Sequence, residues 1–169
     1  MNIVLIGYRG TGKSHVGHLL ARQLDRQLVS LDAEIVKAAG MRIPEIVAQF
    51  GWPHFRDLET EQARRLADRD GLVIDCGGGV IERPENATIL KTNGLVFWLK
   101  APVTTIVARI ADDSERPALT AGKSFTEEVA EVLERRTPLY RAAADVEIDT
   151  DDCTPQQVAE AILDRFQSS

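Results

Sequence analysis

The stretch "GYRGTGKS", Gly7 to Ser14, follows the apolar run "NIVLI" (Asn2 to Ile6) and opens a segment whose Val16, Leu19, Leu20 and Leu24 recur at helical spacing. It fits G-x-x-x-x-G-K-[ST] through Gly7, Gly12, Lys13 and Ser14, in the strand-to-helix position that the motif requires. Glycines let the backbone fold into a nest of N–H groups aimed at phosphate oxygens, and the first helical turn adds the positive end of its dipole. Lys13 offers a mobile cation for terminal phosphates and Ser14 a hydroxyl for Mg²⁺. Gly10, Thr11 and Gly12 complete the expected cradle. His15 joins it by position, although its side chain is expected at the surface or in packing.

Outward from this motif, short apolar runs alternate with helical patterns. The strand candidates are "NIVLI", "LVSL" (Leu28 to Leu31), "LVID" (Leu72 to Asp75), "LVFWL" (Leu95 to Leu99) and "VEI" (Val146 to Ile148). They are rich in β-branched residues and mostly apolar on both faces, as in a parallel sheet covered on both sides. Val129, Val132 and Leu133 share one helical face, as do Val158, Ala161 and Ile162 after Pro155. Strand–helix alternation throughout indicates an α/β fold with right-handed crossovers. One domain is expected over residues 1–169. Two less regular regions, Ile43 to Arg56 and Asp112 to Ser124, are read as a substrate cover and a lid.

The 169 residues carry a net charge of −6, which argues against a nucleic-acid or anionic-membrane surface. Any anionic ligand must then be met by local Arg and Lys side chains. Cys76 and Cys153 are too few for a disulfide framework and do not stand at metal spacing. No basic stretch precedes a long apolar run at the N-terminus, and no segment reaches membrane-spanning length. A reducing cytoplasm is the expected compartment. His18 and His54 have no partner at metal spacing, so zinc is not expected. The run "DTDD", Asp149 to Asp152, lacks the length and closing glutamate of a calcium loop and reads as a solvated turn.

Three further stretches narrow what receives the phosphate. In "FGWPHFRDLETE", Arg56 and Glu59 stand three apart, on one helical face. The run "DCGGGVI" ends a strand in Gly77, Gly78 and Gly79, at the carboxyl edge where open α/β sheets bind ligands. Three glycines without side chains to pack suggest backbone that approaches a ligand closely. "ERPAL" and "RRTPLYR" contribute Arg116 and Arg136.

Taken with "GYRGTGKSHVG", "LDAEI", "GMRIPEIVAQFGWPHFRDLE" and "DVEIDTD", these stretches resemble the shikimate kinases over essentially the whole chain. The resemblance implies a nucleoside-monophosphate-kinase-like P-loop kinase fold, a three-layer α/β/α arrangement with a five-stranded parallel sheet. It implies a substrate-binding region near residues 32–60 and a mobile lid near 112–124. It also implies transfer of the γ-phosphoryl of ATP to the 3-hydroxyl of shikimate, on the route to chorismate and aromatic amino acids, by a monomer. Position by position, Asp32 resembles the carboxylate that holds the acceptor hydroxyl, and Arg56 and Arg136 the pair that clamps the acid. Gly77, Gly78 and Gly79 resemble the loop bordering the same substrate. Glu59 would orient Arg56, Arg116 would swing from the lid onto the transferring phosphate, and Arg109 and Pro155 would flank the adenine. Trp52 and Phe55 would either line the substrate ring or pack in the core.

One departure stands out. The family usually reads Asp-x-Asp at the end of its second strand, where this chain has "SLD", so Ser30 replaces a carboxylate near Mg²⁺. Asp75, ending "LVID", is the candidate substitute; capping of its own strand is the alternative. Cys76 is expected to pack as a small apolar group. Two other functions are compatible with parts of the pattern: a kinase for a gluconate-like acid or polyol, and a non-catalytic nucleotide-binding relative.

Overall fold

The computed structural model describes residues 1–110 and 124–169. Five parallel strands form one sheet: β1 (Asn2–Ile6), β2 (Gln27–Ser30), β3 (Leu72–Asp75), β4 (Gly94–Lys100) and β5 (Val146–Asp149), in the order β2-β3-β1-β4-β5. Between them run α1 (Lys13–Leu24), α2 (Leu31–Ala39), α3 (Ile43–Phe50), α4 (Trp52–Ala67), α5 (Pro84–Lys91), α6 (Val103–Ile110), α7 (Phe125–Ala143) and, after β5, α8 (Pro155–Gln167). The expected α/β architecture with helices on both faces is therefore present.

Period-two alternation sorts the strand side chains between two cores. Ile3, Leu5, Val73, Phe97 and Leu99 pack with Val16 and Leu20 of α1 and with Val158, Ala159 and Ile162 of α8. Val4, Ile6, Ile74, Val96 and Trp98 face the other way, onto Ile35 of α2, Ile46 of α3, Phe55 and Ala63 of α4, Leu90 of α5 and Tyr140 of α7. Both faces of β1 are buried, which is why it reads as an unbroken apolar run.

Two sequence expectations are corrected. The second strand ends at Ser30 rather than Leu31, because the Ser30 hydroxyl accepts a hydrogen bond from the Ala33 N–H and starts α2 at Leu31. The region Ile43 to Arg56 is not irregular. It is α3 and the first turn of α4, separated by Gly51 at φ 84°, with Pro44 and Pro53 in the first turns of the two helices. Glycine and two prolines made this stretch read as loop, yet proline is compatible with a helix's first turn. The expected lid, Asp112 to Ser124, lies outside the described residues except for Ser124. That residue caps α7 by accepting from the Glu127 N–H.

The sheet topology positions the site. β1, β2 and β3 are adjacent, and in register Ser30 stands opposite Asp75, and Asp75 beside Leu5. Their carboxyl ends therefore deliver the glycine-rich loop, the start of α2 and the Gly77–Gly79 run to one edge, as ligand sites in open parallel sheets require.

Candidate active site

A cavity of about 730 Å³ opens at this edge, lined at one end by Gly10, Gly12, Lys13, Ser14 and His15 and at the other by Asp32, Arg42, Gly77 and Gly78. Gly7 and Gly12 both have positive φ, 144° and 92°. A Cβ at Gly7 would stand 2.5 Å from the Leu99 carbonyl oxygen, so both backbone shape and space demand glycine there. The Lys13 ammonium is buried and donates to the carbonyls of Gly7 (2.7 Å) and Tyr8 (3.1 Å). Arg109 donates from Nη1 to the Gly10 carbonyl at 3.0 Å, which ties α6 to the loop.

Ser14 Oγ donates to Asp75 Oδ2 at 2.6 Å, and both residues line the cavity together with Ser30. Burial pushes the Asp75 carboxyl up, against the pull of Lys13 and of the Ser14 hydrogen bond, and the Asp32 carboxylate adds to the rise. A desolvated carboxylate beside a hydroxyl gains from a small hard cation, which takes oxygen ligands and keeps several waters. The donor set therefore fits Mg²⁺. At the end of its strand Asp75 bonds the loop hydroxyl of Ser14. The Ser30 hydroxyl accepts from the Ala33 N–H in the α2 cap.

At the far end two arginines converge on the glycine corner. Arg56 is buried on α4, donates from Nη1 to Glu59 Oε1 at 2.9 Å, and lies 5.3 Å from the ring centroids of Trp52 and Phe55. A Cβ at Gly79 would collide with its guanidinium, 2.6 Å from Cζ. Arg136, on α7, is also buried. Its Nε donates to Glu82 Oε1 at 2.7 Å, and its Nη1 would stand 3.4 Å from a Cβ at Gly78. The Tyr140 hydroxyl donates to the Gly78 carbonyl at 2.5 Å; burial raises this phenol to about 12, although Arg136 opposes the rise, so it stays a donor at neutral pH.

The structure thus brings together Gly10, Gly12, Lys13, Ser14, His15, Asp32, Asp75, Gly77, Gly78 and Arg109 around the cavity, with Thr11 buried in the loop behind it. Arg56, Gly79 and Arg136 do not line the cavity; the two guanidinium groups lie behind the adjoining Gly79 and Gly78. Trp52 and Phe55 flank the Arg56 guanidinium, with Phe55 in the core. Cys76 is buried in the core and also touches the cavity. Pro155 does not line the cavity; it opens α8 beyond a turn that Thr105 of α6 reaches through Asp151 Oδ1, 3.3 Å away. Arg116 lies outside the described residues. Sequence reasoning missed Glu82 and gave Tyr140 no role. Glu82 bonds across 54 positions, which leaves no local signal, whereas Tyr140 stands one helical turn after Arg136 and could have been found by that spacing.

The shikimate kinase family model matches residues 9–167. Among curated relatives, the shikimate kinase of Thermodesulfovibrio yellowstonii is 42% identical over 98% of this chain and 95% of its own length, and that of Caldicellulosiruptor bescii 40% over 96% and 93%. Among solved structures, the shikimate kinase of Acinetobacter baumannii in complex with shikimate superposes with a TM-score of 0.93. It is 35% identical and covers 99% of this chain and 93% of its own. The Aquifex aeolicus shikimate kinase gives 0.85 at 32% identity, covering 99% and 97%.

Proposed function

This chain belongs to the shikimate kinase family, and from that premise we infer that it transfers the γ-phosphoryl group of ATP to the 3-hydroxyl of shikimate. The observation that supports the reading is that two buried guanidinium groups, from α4 and α7, lie against the consecutive glycines Gly79 and Gly78, the second of which lines a cavity that begins at the phosphate-binding loop. A planar guanidinium bonds a carboxylate through two parallel N–H groups, and a pair of them favours an acid acceptor over a neutral polyol.

In this reading the nucleotide phosphates lie on the N–H groups of Gly10, Thr11, Gly12 and their neighbours, beside His15, and Arg109 and Pro155 flank the adenine. Lys13 exchanges its two carbonyl partners for oxygens of the terminal phosphates. Arg56 and Arg136 hold the shikimate carboxylate, with Gly77, Gly78 and Gly79 along the same substrate. Asp32 orients the 3-hydroxyl and accepts its proton. Arg116 meets the transferring phosphoryl group, where positive charge is useful once water is excluded. The transfer is direct and in line, without a covalent phosphoenzyme, because positioning and charge stabilisation supply most of the rate enhancement. Ser14 and Asp75 are the residues that would hold Mg²⁺, which would supply positive charge to offset that of the nucleotide's phosphates. The acidic net charge supports an enzyme without a nucleic-acid partner, and the reading carries a cytoplasmic monomer.

A coupled ADP-release assay with shikimate, with gluconate and with no acceptor tests this. Turnover with shikimate alone is expected. Comparable turnover with gluconate, or ADP release that needs no acceptor, would contradict it.

A further inference from the structure

Glu82 closes the short 3-10 turn Val80–Glu82, three residues past Gly79, and the reaction as described gives it no part. Its carboxylate accepts two charge-assisted hydrogen bonds from consecutive arginines of α7: Oε1 from Arg136 Nε at 2.7 Å and Oε2 from Arg135 Nη1 at 2.9 Å. The two donors differ sharply. The Arg136 side chain is 5% exposed and the Arg135 side chain 57%. One arginine therefore faces the glycine corner and the other faces solvent, with Glu82 between them.

This arrangement fixes an orientation. An arginine Nε carries a single N–H, so bonding there sets the plane of the guanidinium and leaves the Nη edge for another partner. Tyr140, one helical turn on, is hydrogen-bonded to the Gly78 carbonyl beside it, and the Tyr8 ring centroid lies 5.7 Å from the Arg136 guanidinium carbon. The arrangement also settles a conflict of charge. A lone carboxylate this close to Arg136 would cancel its attraction for an anionic ligand. With Arg135 included, two positive charges face one negative charge, and one positive charge is left for the ligand.

We propose that Glu82 is a positioning residue for acid binding: it sets the Arg136 guanidinium so that its Nη edge meets the substrate carboxylate, while Arg135 balances the charge that Glu82 brings. The proposal rests on the reading that Arg136 binds the acid. It deepens that reading by placing the source of the arginine's geometry in the turn after the glycines.

The test compares wild type, Glu82→Ala, Glu82→Gln and Arg135→Ala in the coupled assay at saturating ATP, with thermal melts alongside. Glu82→Ala should raise the shikimate KM about 10-fold or more, the worth of one charge-assisted hydrogen bond, with kcat and the ATP KM within about twofold of wild type. Glu82→Gln keeps an acceptor for Nε without the charge and preserves the side chain's shape, so its shikimate KM should rise less. Arg135→Ala should raise the shikimate KM by less than about threefold, with the effect varying with salt, because its pairing is exposed. An unchanged or lower shikimate KM in both Glu82 variants would overturn the proposal; a lower one would mean that the carboxylate merely repels the acid. Parallel losses in kcat, both KM values and melting temperature would overturn it too, by making Glu82 a structural residue only. Wild type without shikimate-dependent turnover would overturn the functional reading and this proposal with it. That result appears before any variant is compared, so the two failures stay distinct.

Discussion

Adding one methyl group at two neighbouring glycines should have unequal consequences. A Cβ at Gly79 would lie 2.6 Å from Arg56 Cζ, about 1 Å inside ordinary van der Waals contact. Gly79 has φ −98° and ψ 12°, which alanine tolerates, so the penalty is steric and not conformational. Arg56 is poorly placed to move aside, because it is bonded to Glu59, which is fully buried, and stands against the Trp52 and Phe55 rings. Displacing it weakens a charge-assisted hydrogen bond worth about 1.5–3 kcal/mol. If half to all of that is lost from acid binding, the shikimate KM rises roughly 4- to 150-fold. A Cβ at Gly78 would meet Arg136 Nη1 and the Arg9 N–H at 3.4 Å, the edge of ordinary contact, so Gly78→Ala should raise KM several times less. Steady-state kinetics with varied shikimate, and isothermal titration of shikimate into each variant, read both effects. Equal KM values for wild type and Gly79→Ala would refute the claim that the Arg56 guanidinium occupies this corner to bind acid.

Arg136→Lys should raise the shikimate KM by an order of magnitude or more, since a point ammonium cannot replace a planar fork; steady-state kinetics with the ATP KM as internal control checks it. Asp75→Asn should weaken Mn²⁺ binding to the enzyme–ADP complex, read by electron paramagnetic resonance of free Mn²⁺, and unchanged binding would return Asp75 to a structural role. For Glu82, burial pushes the carboxyl up, but the bonds from Arg136 and Arg135 outweigh it and hold it below the ordinary glutamate value. Its contribution to stability is then present above about pH 4.3 and lost as pH falls through the lowered folded value. The melting-temperature gap between wild type and Glu82→Gln should therefore be full at pH 6 and close as the pH drops below 4.

Much of this was legible in the sequence because it is written locally. "NIVLI" followed by "GYRGTGKS" gives strand, loop and helix within a few residues of one another, and the structure carries all three. Spacing alone puts Arg56 and Glu59 on one helical face, and the two are bonded there. What failed was also local: Gly51, Pro44 and Pro53 look like loop punctuation, but the prolines occupy first turns where no N–H is needed. Long-range chemistry was the blind spot. Glu82 reads as one more surface charge after an apolar pair, and only the packing of α7 against that turn shows that it holds Arg136. The Ser14–Asp75 bond lay between these cases, since a strand-end carboxylate beside the glycine loop was suspected from position and its hydroxyl partner was not.

The most direct measurement is a crystal structure of the protein with shikimate and ADP bound. The shikimate carboxylate should lie about 3 Å from nitrogen atoms of both Arg56 and Arg136, with the 3-hydroxyl turned toward Asp32. An acid bound with its carboxylate away from both guanidinium groups, or its 3-hydroxyl away from the phosphate-binding loop, would contradict the account.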